Sequence, residues 1–119
     1  MSAPFSSLAA EYVRTVNAGD VQAFQRLFAE DAVVHDAGHT HRGLEQIKNW
    51  SEREIFAVNV SLEPTAESES AGETVLTTKV DGTFDKTGLP DPLFINQHLQ
   101  VRSGKIVELA CRLAVEQTA

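Results

Sequence analysis

Two side chains in the first third of the sequence have the types and the spacing that proton transfer requires. Asp36 follows the apolar pair Val33–Val34. Because side chains alternate along a strand, Asp36 faces inward if Val34 does. A carboxylate at the rim of an apolar pocket can act as a general base, and the alternative is an aspartate that only begins a turn. Tyr12 lies among apolar residues at helical spacing. Its phenol could therefore donate a hydrogen bond to a developing oxyanion, or it could simply be a satisfied core tyrosine.

Two further side chains fall on the same predicted inner surface. Gln97 alternates with apolar residues, which places its amide among apolar neighbours, and a buried amide needs a partner. That partner is either structural or a ligand. Cys111 is the single cysteine of the chain. A thiol in apolar surroundings is usually inert, so no nucleophile is expected there.

Three histidines crowd around Asp36, namely His35, His39 and His41. A metal site needs three or four converging ligands, and loop histidines beside one aspartate are a weak signal, so we expect no metal. His35 should point away from Asp36, towards the outer surface. A dehydratase that uses a His–Asp pair would require His39 or His41 to reach the same cavity as Tyr12, Asp36 and Gln97.

Three amphipathic helices must position these groups. The first is predicted from Pro4 to Gly19, the second follows a cap at Asp20, and the third begins at Gly43. Apolar residues recur every three or four positions on one side of each helix. These residues are Phe5, Leu8, Ala9, Tyr12, Val13 and Val16, then Val21, Phe24, Leu27 and Phe28, then Leu44, Ile47, Trp50 and Ile55.

The remaining segments have the pattern of β-strands. Strands are predicted over residues 32–36, 56–69, 73–84, 92–102 and 105–115, and residues 37–42 form a loop that could include a short return strand. The order of elements is ααββαββββ, with the helices collected on one face of a mixed sheet. This is the pattern of an α+β fold rather than of repeated βαβ units.

Strand alternation predicts which residues form the pocket. In the last strand Val107, Leu109, Cys111 and Leu113 share the apolar face, and in the strand before it Ile95, Gln97, Leu99 and Val101 do. The predicted lining is Phe28, Trp50, Leu99, Leu109, Cys111 and Leu113. The opposite face carries Phe94, Asn96, His98 and Ala110, a mixed surface that would suit a homodimer interface.

Size and charge limit the function further. A chain of 119 residues fits one domain, taken here as residues 1–119, and its net charge of −7 argues against nucleic acid or anionic membrane as a partner. The sequence has no segment that looks like a signal peptide and no run of about 18 apolar residues. With a single cysteine, nothing requires an oxidising compartment. A cytoplasmic location is therefore expected.

The sequence resembles the nuclear transport factor 2-like superfamily, which includes ketosteroid isomerases and SnoaL-like polyketide cyclases. The similarity covers nearly the whole chain. It is carried by segments 12–20, 28–36, 42–47 and 104–108. It implies a cone-shaped, curved mixed sheet wrapped on three helices from the N-terminal half of the chain, the cystatin-like roll. The superfamily contains isomerases, dehydratases, cyclases, hydrolases and non-catalytic binding domains.

The ketosteroid isomerases give the most specific expectations. In the resemblance, Tyr12 takes the position of their oxyanion donor and Asp36 that of their general base. Gln97 stands where they have a second acid, and Ala37 where a proline usually follows the base. The resemblance thus implies a cofactor-independent isomerase or cyclase that acts on a small hydrophobic carbonyl compound. The alternatives are a small-molecule-binding or dimeric scaffold domain, and a dehydratase with a His–Asp pair.

Overall fold

The computed structural model describes residues 7–70 and 72–114, which contain three helices and one six-stranded sheet. Pro4, Phe5 and Val115, which the sequence assigns to elements, lie outside the described residues. The helices are α1 (Ser7–Ala18), α2 (Val21–Gln25) and α3 (Gly43–Ser51), and a π-helical turn (Glu52–Phe56) continues α3. The strands are β1 (Phe28–Asp36), β2 (His39–Arg42), β3 (Ser61–Ser70), β4 (Glu73–Asp81), β5 (Leu93–Arg102) and β6 (Lys105–Leu113).

The sheet has the order β2-β1-β6-β5-β4-β3. The β1 and β6 strands pair in parallel, whereas every other pair of neighbouring strands in the described residues is antiparallel. The sheet is therefore mixed, as predicted, and its curved inner face carries the helices. The short return strand is present as β2 and pairs with β1 across a two-residue turn.

The second helix is shorter than the sequence suggests. Asp20 caps it as predicted, because its carboxylate accepts a hydrogen bond from the Ala23 amide at 3.1 Å. The helix ends at Gln25, and Phe28 already belongs to β1, four residues before the predicted start of that strand. Phe28 is buried in either assignment, so helical spacing alone could not separate the two.

A shift of register changes the inner face of the last hairpin. Gln100 pairs with Glu108 but Val101 pairs with Ile106, which leaves Val107 as an extra residue. Such a bulge reverses the alternation on one side of it. Ile106 is therefore fully buried in the core in place of Val107, whereas its partner Val101, near the end of β5, is 39% exposed.

Phe24 is the centre of an aromatic cluster beneath the helices. Its fully buried ring lies 5.7 Å from that of Tyr12, 5.1 Å from Phe28, 6.4 Å from Trp50 and 5.6 Å from Phe56. This cluster packs α1, α2 and α3 against the start of β1. Tyr12 and Trp50 thus pack against one common, fully buried ring.

The Asn17 side chain fastens α1 to the edge of the sheet. Its amide nitrogen donates to the Leu62 carbonyl at 2.9 Å, and its oxygen accepts from the Leu62 amide at 2.7 Å. The first helix is thereby held over the far end of the sheet. None of the helices in the described ranges has the length and apolar character needed to cross a lipid bilayer.

Candidate active site

A cavity of about 420 Å³ opens between the helices and the inner face of the sheet. Most of its lining is apolar, and its charged, hydroxyl and amide side chains come from α1, the end of β1, the π-helical turn, β5 and the connection between β4 and β5. The lining residues are Tyr12, Val16, Asp36, Ala37, Trp50, Glu54, Ile55, Val60, Leu62, Val80, Phe84, Asp85, Leu89, Leu93, Ile95, Gln97, Cys111 and Leu113. Tyr12, Asp36 and Gln97 therefore face one cavity large enough for a small organic molecule.

Strand register explains why these polar groups meet. Asp36 on β1 is paired with Cys111 on β6, and Cys111 is paired with Gln97 on β5. Residues in register on neighbouring strands project from the same face of the sheet. One row across the sheet thus carries the carboxylate, the thiol and the amide, while Tyr12 approaches from the helix side.

Asp36 is the last residue of β1, and a tight turn follows it. Ala37 and Gly38 both have positive φ values, of 53° and 80°, as a two-residue hairpin turn of type I′ requires. A proline, whose ring holds φ near −65°, could not occupy position 37 in this turn. The indole Nε1 of Trp50 donates a hydrogen bond to Asp36 Oδ2 at 2.9 Å. The Asp36 carboxylate is half-buried, and this hydrogen bond fixes one of its two oxygens.

Tyr12 is buried to 2% exposure beside Cys111. Burial raises the pKa of the Tyr12 phenol well above its ordinary value of 10.0, and the nearby thiol and the charge of Asp36 raise it further. Burial, followed by the charge of Asp36, also raises the pKa of the Cys111 thiol. Both groups are therefore protonated at neutral pH, which makes Tyr12 a hydrogen-bond donor and Cys111 a poor nucleophile.

The Gln97 amide has structural partners in its own sheet. In the orientation that satisfies both of its ends, the amide nitrogen donates to the Leu76 carbonyl at 2.9 Å and to the Ile95 carbonyl at 3.3 Å. The Thr78 hydroxyl donates to its oxygen at 3.1 Å. Gln97 lines the cavity, but both N–H groups are used, so it offers little donor capacity to a ligand.

Half of the predicted apolar lining lies elsewhere. Trp50, Cys111 and Leu113 line the cavity, and Leu113 stands at its rim with 47% exposure. Phe28, Leu99 and Leu109 do not line it; they are buried in the core beneath the helices. Strand alternation gives the correct face for Leu99 and Leu109, and helical spacing gives the correct burial for Phe28. Neither pattern can separate the packed part of the inner face from the part that lines the cavity.

Glu54 and the residues on the connection between β4 and β5 line the cavity, although the sequence does not predict them as lining residues. Glu54 is an exposed carboxylate on the π-helical turn, and Phe84, Asp85 and Leu89 belong to the segment 82–92 between β4 and β5. Lys86 braces this segment, with Nζ 2.6 Å from the Gly82 carbonyl and 5.0 Å from the centre of the Phe84 ring. A π-helical turn is a frequent marker of functional sites, but the sequence carries no sign of it.

The histidines lie next to the cavity without lining it. His39 and His41 line a neighbouring cavity that also touches Asp36. On the outer face His35 Nε2 lies 2.8 Å from Glu108 Oε2, in agreement with the predicted direction of His35. No three His, Cys, Asp or Glu side chains within residues 7–70 and 72–114 are grouped as metal ligands.

Comparison with known proteins identifies related sequences and structures. The family model of the SnoaL-like domain matches residues 9–109. No curated protein matches the sequence. A provisionally assigned polyketide cyclase from Sinorhizobium meliloti is similar with 24% identity and a TM-score of 0.81, over 91% of this chain and 95% of the other.

Two further solved structures share the architecture. A Δ5-3-ketosteroid isomerase from a Mycobacterium species has 19% identity and a TM-score of 0.70, over 92% of each chain. An epoxide hydrolase/cyclase-like enzyme of pyran ring formation in the polyether salinomycin has 20% identity and a TM-score of 0.74, over 91% of this chain and 88% of the other. At these identities the structural similarity establishes the fold, the nuclear transport factor 2-like cone.

Proposed function

The chain belongs to the SnoaL-like domain family, and we propose that it is a cofactor-independent proton-transfer enzyme of the isomerase or cyclase type. Its substrate would be a small hydrophobic carbonyl compound. One observation carries the proposal: a carboxylate with one fixed oxygen and a protonated phenol face the same largely apolar cavity. The ketosteroid isomerase and cyclase-like enzymes of the same fold support the reaction class by analogy.

In this mechanism Asp36 is the general base. Its oxygen Oδ1, which the indole of Trp50 does not hold, takes a proton from the carbon next to the substrate carbonyl. The electron pair of that C–H bond moves into an enolate. In an isomerase, Asp36 then returns the proton to another carbon of the enolate. In a cyclase, the enolate carbon attacks a second carbonyl carbon, the π electrons of that carbonyl move to its oxygen, and this oxygen takes the proton from Asp36.

Tyr12 would stabilise the enolate oxygen. Its phenol, protonated at neutral pH, donates a hydrogen bond that strengthens as negative charge develops on that oxygen. The surrounding apolar lining excludes water, and the interaction is stronger in such an environment than in solution. The sequence predicts Gln97 as a second donor; its contacts with Leu76 and Ile95 favour a supporting role in the cavity wall instead.

Trp50 is proposed as the positioning residue of the base. The indole is 2% exposed, rests against Phe24, and has only one polar atom, which donates to Asp36. A fixed carboxylate loses less conformational freedom when it reaches its reactive geometry. The indole would therefore act on the rate of proton transfer rather than on ligand affinity.

The contacts of Asp36 favour an enzyme over the alternatives. A scaffold or binding domain would be expected to leave Asp36 exposed or in a plain salt bridge, whereas this carboxylate is half-buried on a cavity wall. A dehydratase with a His–Asp pair needs His39 or His41 in the cavity of Tyr12. Neither residue lines that cavity.

Deuterium exchange into a simple ketone tests the proposal and does not require the natural substrate. The chain is incubated with 2-tetralone in D₂O, and NMR follows deuterium incorporation at the carbons next to the carbonyl. We expect protein-dependent exchange that falls about 10²–10⁴-fold in Asp36→Asn, with unchanged thermal stability. A folded Asp36→Asn variant that exchanges at the rate of the wild type would refute Asp36 as the base.

The partners and the location follow as proposals. The ligand would be small and hydrophobic, in keeping with the lining. The outer face of the sheet, which includes Phe94, Asn96, His98 and Ala110, would form a homodimer interface, because the described helices cover only the inner face. The acidic charge of −7 supports a chain that binds neither nucleic acid nor membrane, and the single cysteine is in keeping with a cytoplasmic location. Sedimentation velocity would test the dimer.

A further inference from the structure

A second cavity, of about 380 Å³, meets the first at Asp36. Four residues, namely Asp36, Ala37, Trp50 and Glu54, line both cavities. The remaining lining of the second cavity is His39, His41 and Arg53. In contrast with the first cavity, most of these side chains can form hydrogen bonds. The proposed base therefore stands between an apolar compartment and a polar one.

Local structure brings these polar groups together. On the β1–β2 hairpin Asp36 is paired with His39, and Val34 with His41. Cross-strand partners lie on the same face, so both imidazoles share the face of the carboxylate. Arg53 and Glu54 come from the π-helical turn that directly follows Trp50 on α3. The second cavity is thus enclosed by one hairpin and one helical turn.

The charges of the second cavity disfavour an anion. Arg53 Nε donates to Glu54 Oε2 at 3.2 Å, so these two charges largely cancel. Burial lowers the pKa of His41, and the positive charge of Arg53 lowers it further against the opposing effect of Asp36. His41 is therefore neutral at pH 7, and the Asp36 carboxylate accepts its hydrogen bond from the neutral indole of Trp50. A neutral polar group fits better than a carboxylate or phosphate.

The second cavity also has aromatic side chains in its lining. The rings of His41 and Trp50 lie with centroids 5.9 Å apart at an angle of 33°. The indole is only 2% exposed, so it packs behind the half-buried ring of His41, and the His41 ring offers the aromatic surface on which a planar ring can stack. The ring nitrogens of His39 and His41 can donate to or accept from a hydroxyl group.

We infer that the ligand extends past Asp36 into the second cavity with a planar ring that carries a hydroxyl group. The inference rests on the proposed function. The carbonyl oxygen lies at Tyr12 in the first cavity, and the carbon that loses its proton lies at Asp36. The ring beyond it stacks on His41, which packs against Trp50. The substrate class is then a hydroxylated aryl ketone rather than a purely aliphatic ketone.

Binding of three matched probes tests this assignment. The probes are 2-tetralone, 6-hydroxy-2-tetralone and 2-tetralone-6-carboxylate. Trp50 is the single tryptophan of the chain and lines both cavities, so quenching of its fluorescence measures each dissociation constant. We expect the hydroxyl compound to bind about 3- to 10-fold more tightly than the parent, as one net hydrogen bond gives. The carboxylate should bind more weakly than the parent.

Two variants test which residues cause the tighter binding of the hydroxyl compound. His41→Phe combined with His39→Ala keeps an aromatic ring next to Trp50 but removes both imidazoles, so the advantage of the hydroxyl compound should disappear. Leu89 lines the first cavity but not the second, so Leu89→Ala should weaken the binding of both neutral probes equally and preserve that advantage. Equal binding of the two neutral probes to the wild type would overturn the inference, as would an advantage that survives in the double variant or tighter binding of the carboxylate.

The two proposals can fail separately. Deuterium exchange without a preference for the hydroxyl compound would support the proposed enzyme but refute the inference that its ligand extends into the second cavity. A preference that depends on His39 and His41, without any exchange in the wild type, would leave a binding domain with two compartments and refute the proton-transfer enzyme.

Discussion

The substitution Trp50→Phe isolates one hydrogen bond of the proposed mechanism. Phenylalanine keeps an aromatic ring against Phe24 and His41 but has no N–H group to donate to Asp36 Oδ2. A hydrogen bond to a charged group contributes about 1.5–3 kcal/mol. If the indole fixes Asp36 for proton transfer, this free energy corresponds to a loss of about 10- to 150-fold in rate. Deuterium exchange into 2-tetralone measures it, and the ligand affinity should change little.

A matched control separates positioning from packing. Phe56 touches the same Phe24 ring, at 5.6 Å, but does not line either cavity. Phe56→Leu should therefore lower the free energy of unfolding without slowing exchange. Urea unfolding and circular dichroism of both variants show whether any loss of rate follows from a loss of structure.

A double-mutant cycle gives the decisive comparison. If Trp50 acts only through Asp36, then Asp36→Asn with Trp50→Phe should exchange no more slowly than Asp36→Asn alone. Full additivity of the two rate losses would refute positioning through the carboxylate. A wild-type rate in folded Trp50→Phe would refute it as well, because the hydrogen bond would then contribute nothing to proton transfer.

Three other predictions follow from the remaining polar groups of the first cavity. Tyr12→Phe should slow exchange by about 10²–10³-fold, since it removes one oxyanion donor, and the exchange assay with Asp36→Asn as reference measures this; a loss below about threefold would contradict the donor role. Gln97→Leu should cost about 1–3 kcal/mol of unfolding free energy in urea but less than tenfold in rate, because the amide bonds to its own sheet. The pKa values of Tyr12 and Cys111 are raised in the folded chain, which holds both protons more tightly than the unfolded chain does. The unfolding free energy should therefore fall as pH rises past the ordinary values of about 9 and 10, by about 1.4 kcal/mol per pH unit for each group, and Cys111→Ala should reduce this fall.

The row of polar residues across the sheet could be predicted because it depends on short-range rules. Asp36 stands two positions after Val34, and Gln97 stands two positions after Ile95. Because side chains two positions apart on a strand point to the same face, both polar side chains are predicted to face inward. The resemblance to a known family then indicated that Tyr12 faces the same space. The fold class and the position of the return strand followed from the same patterns.

Features that depend on long-range packing could not be predicted. The bulge that exchanges Ile106 for Val107 arises from pairing between β5 and β6, and no local pattern marks it. Phe28 continues the helical spacing of the second apolar stripe, although it is a buried residue at the start of β1. The position of the cavity depends on the distance between the helices and the inner face of the sheet. This distance determines that Leu109 packs in the core while Leu113 lines the cavity.

Part of the wall of the first cavity is built by a connection rather than by the sheet. Phe84 and Leu89 come from the segment 82–92, which Lys86 braces, whereas Asp36, Tyr12 and Trp50 stand on regular elements. Selection on this connection can therefore change which molecules bind while the residues of the proposed proton transfer stay in place. For directed evolution, a saturation library at Phe84 and Leu89 would explore new ligands without altering the proposed base, Asp36.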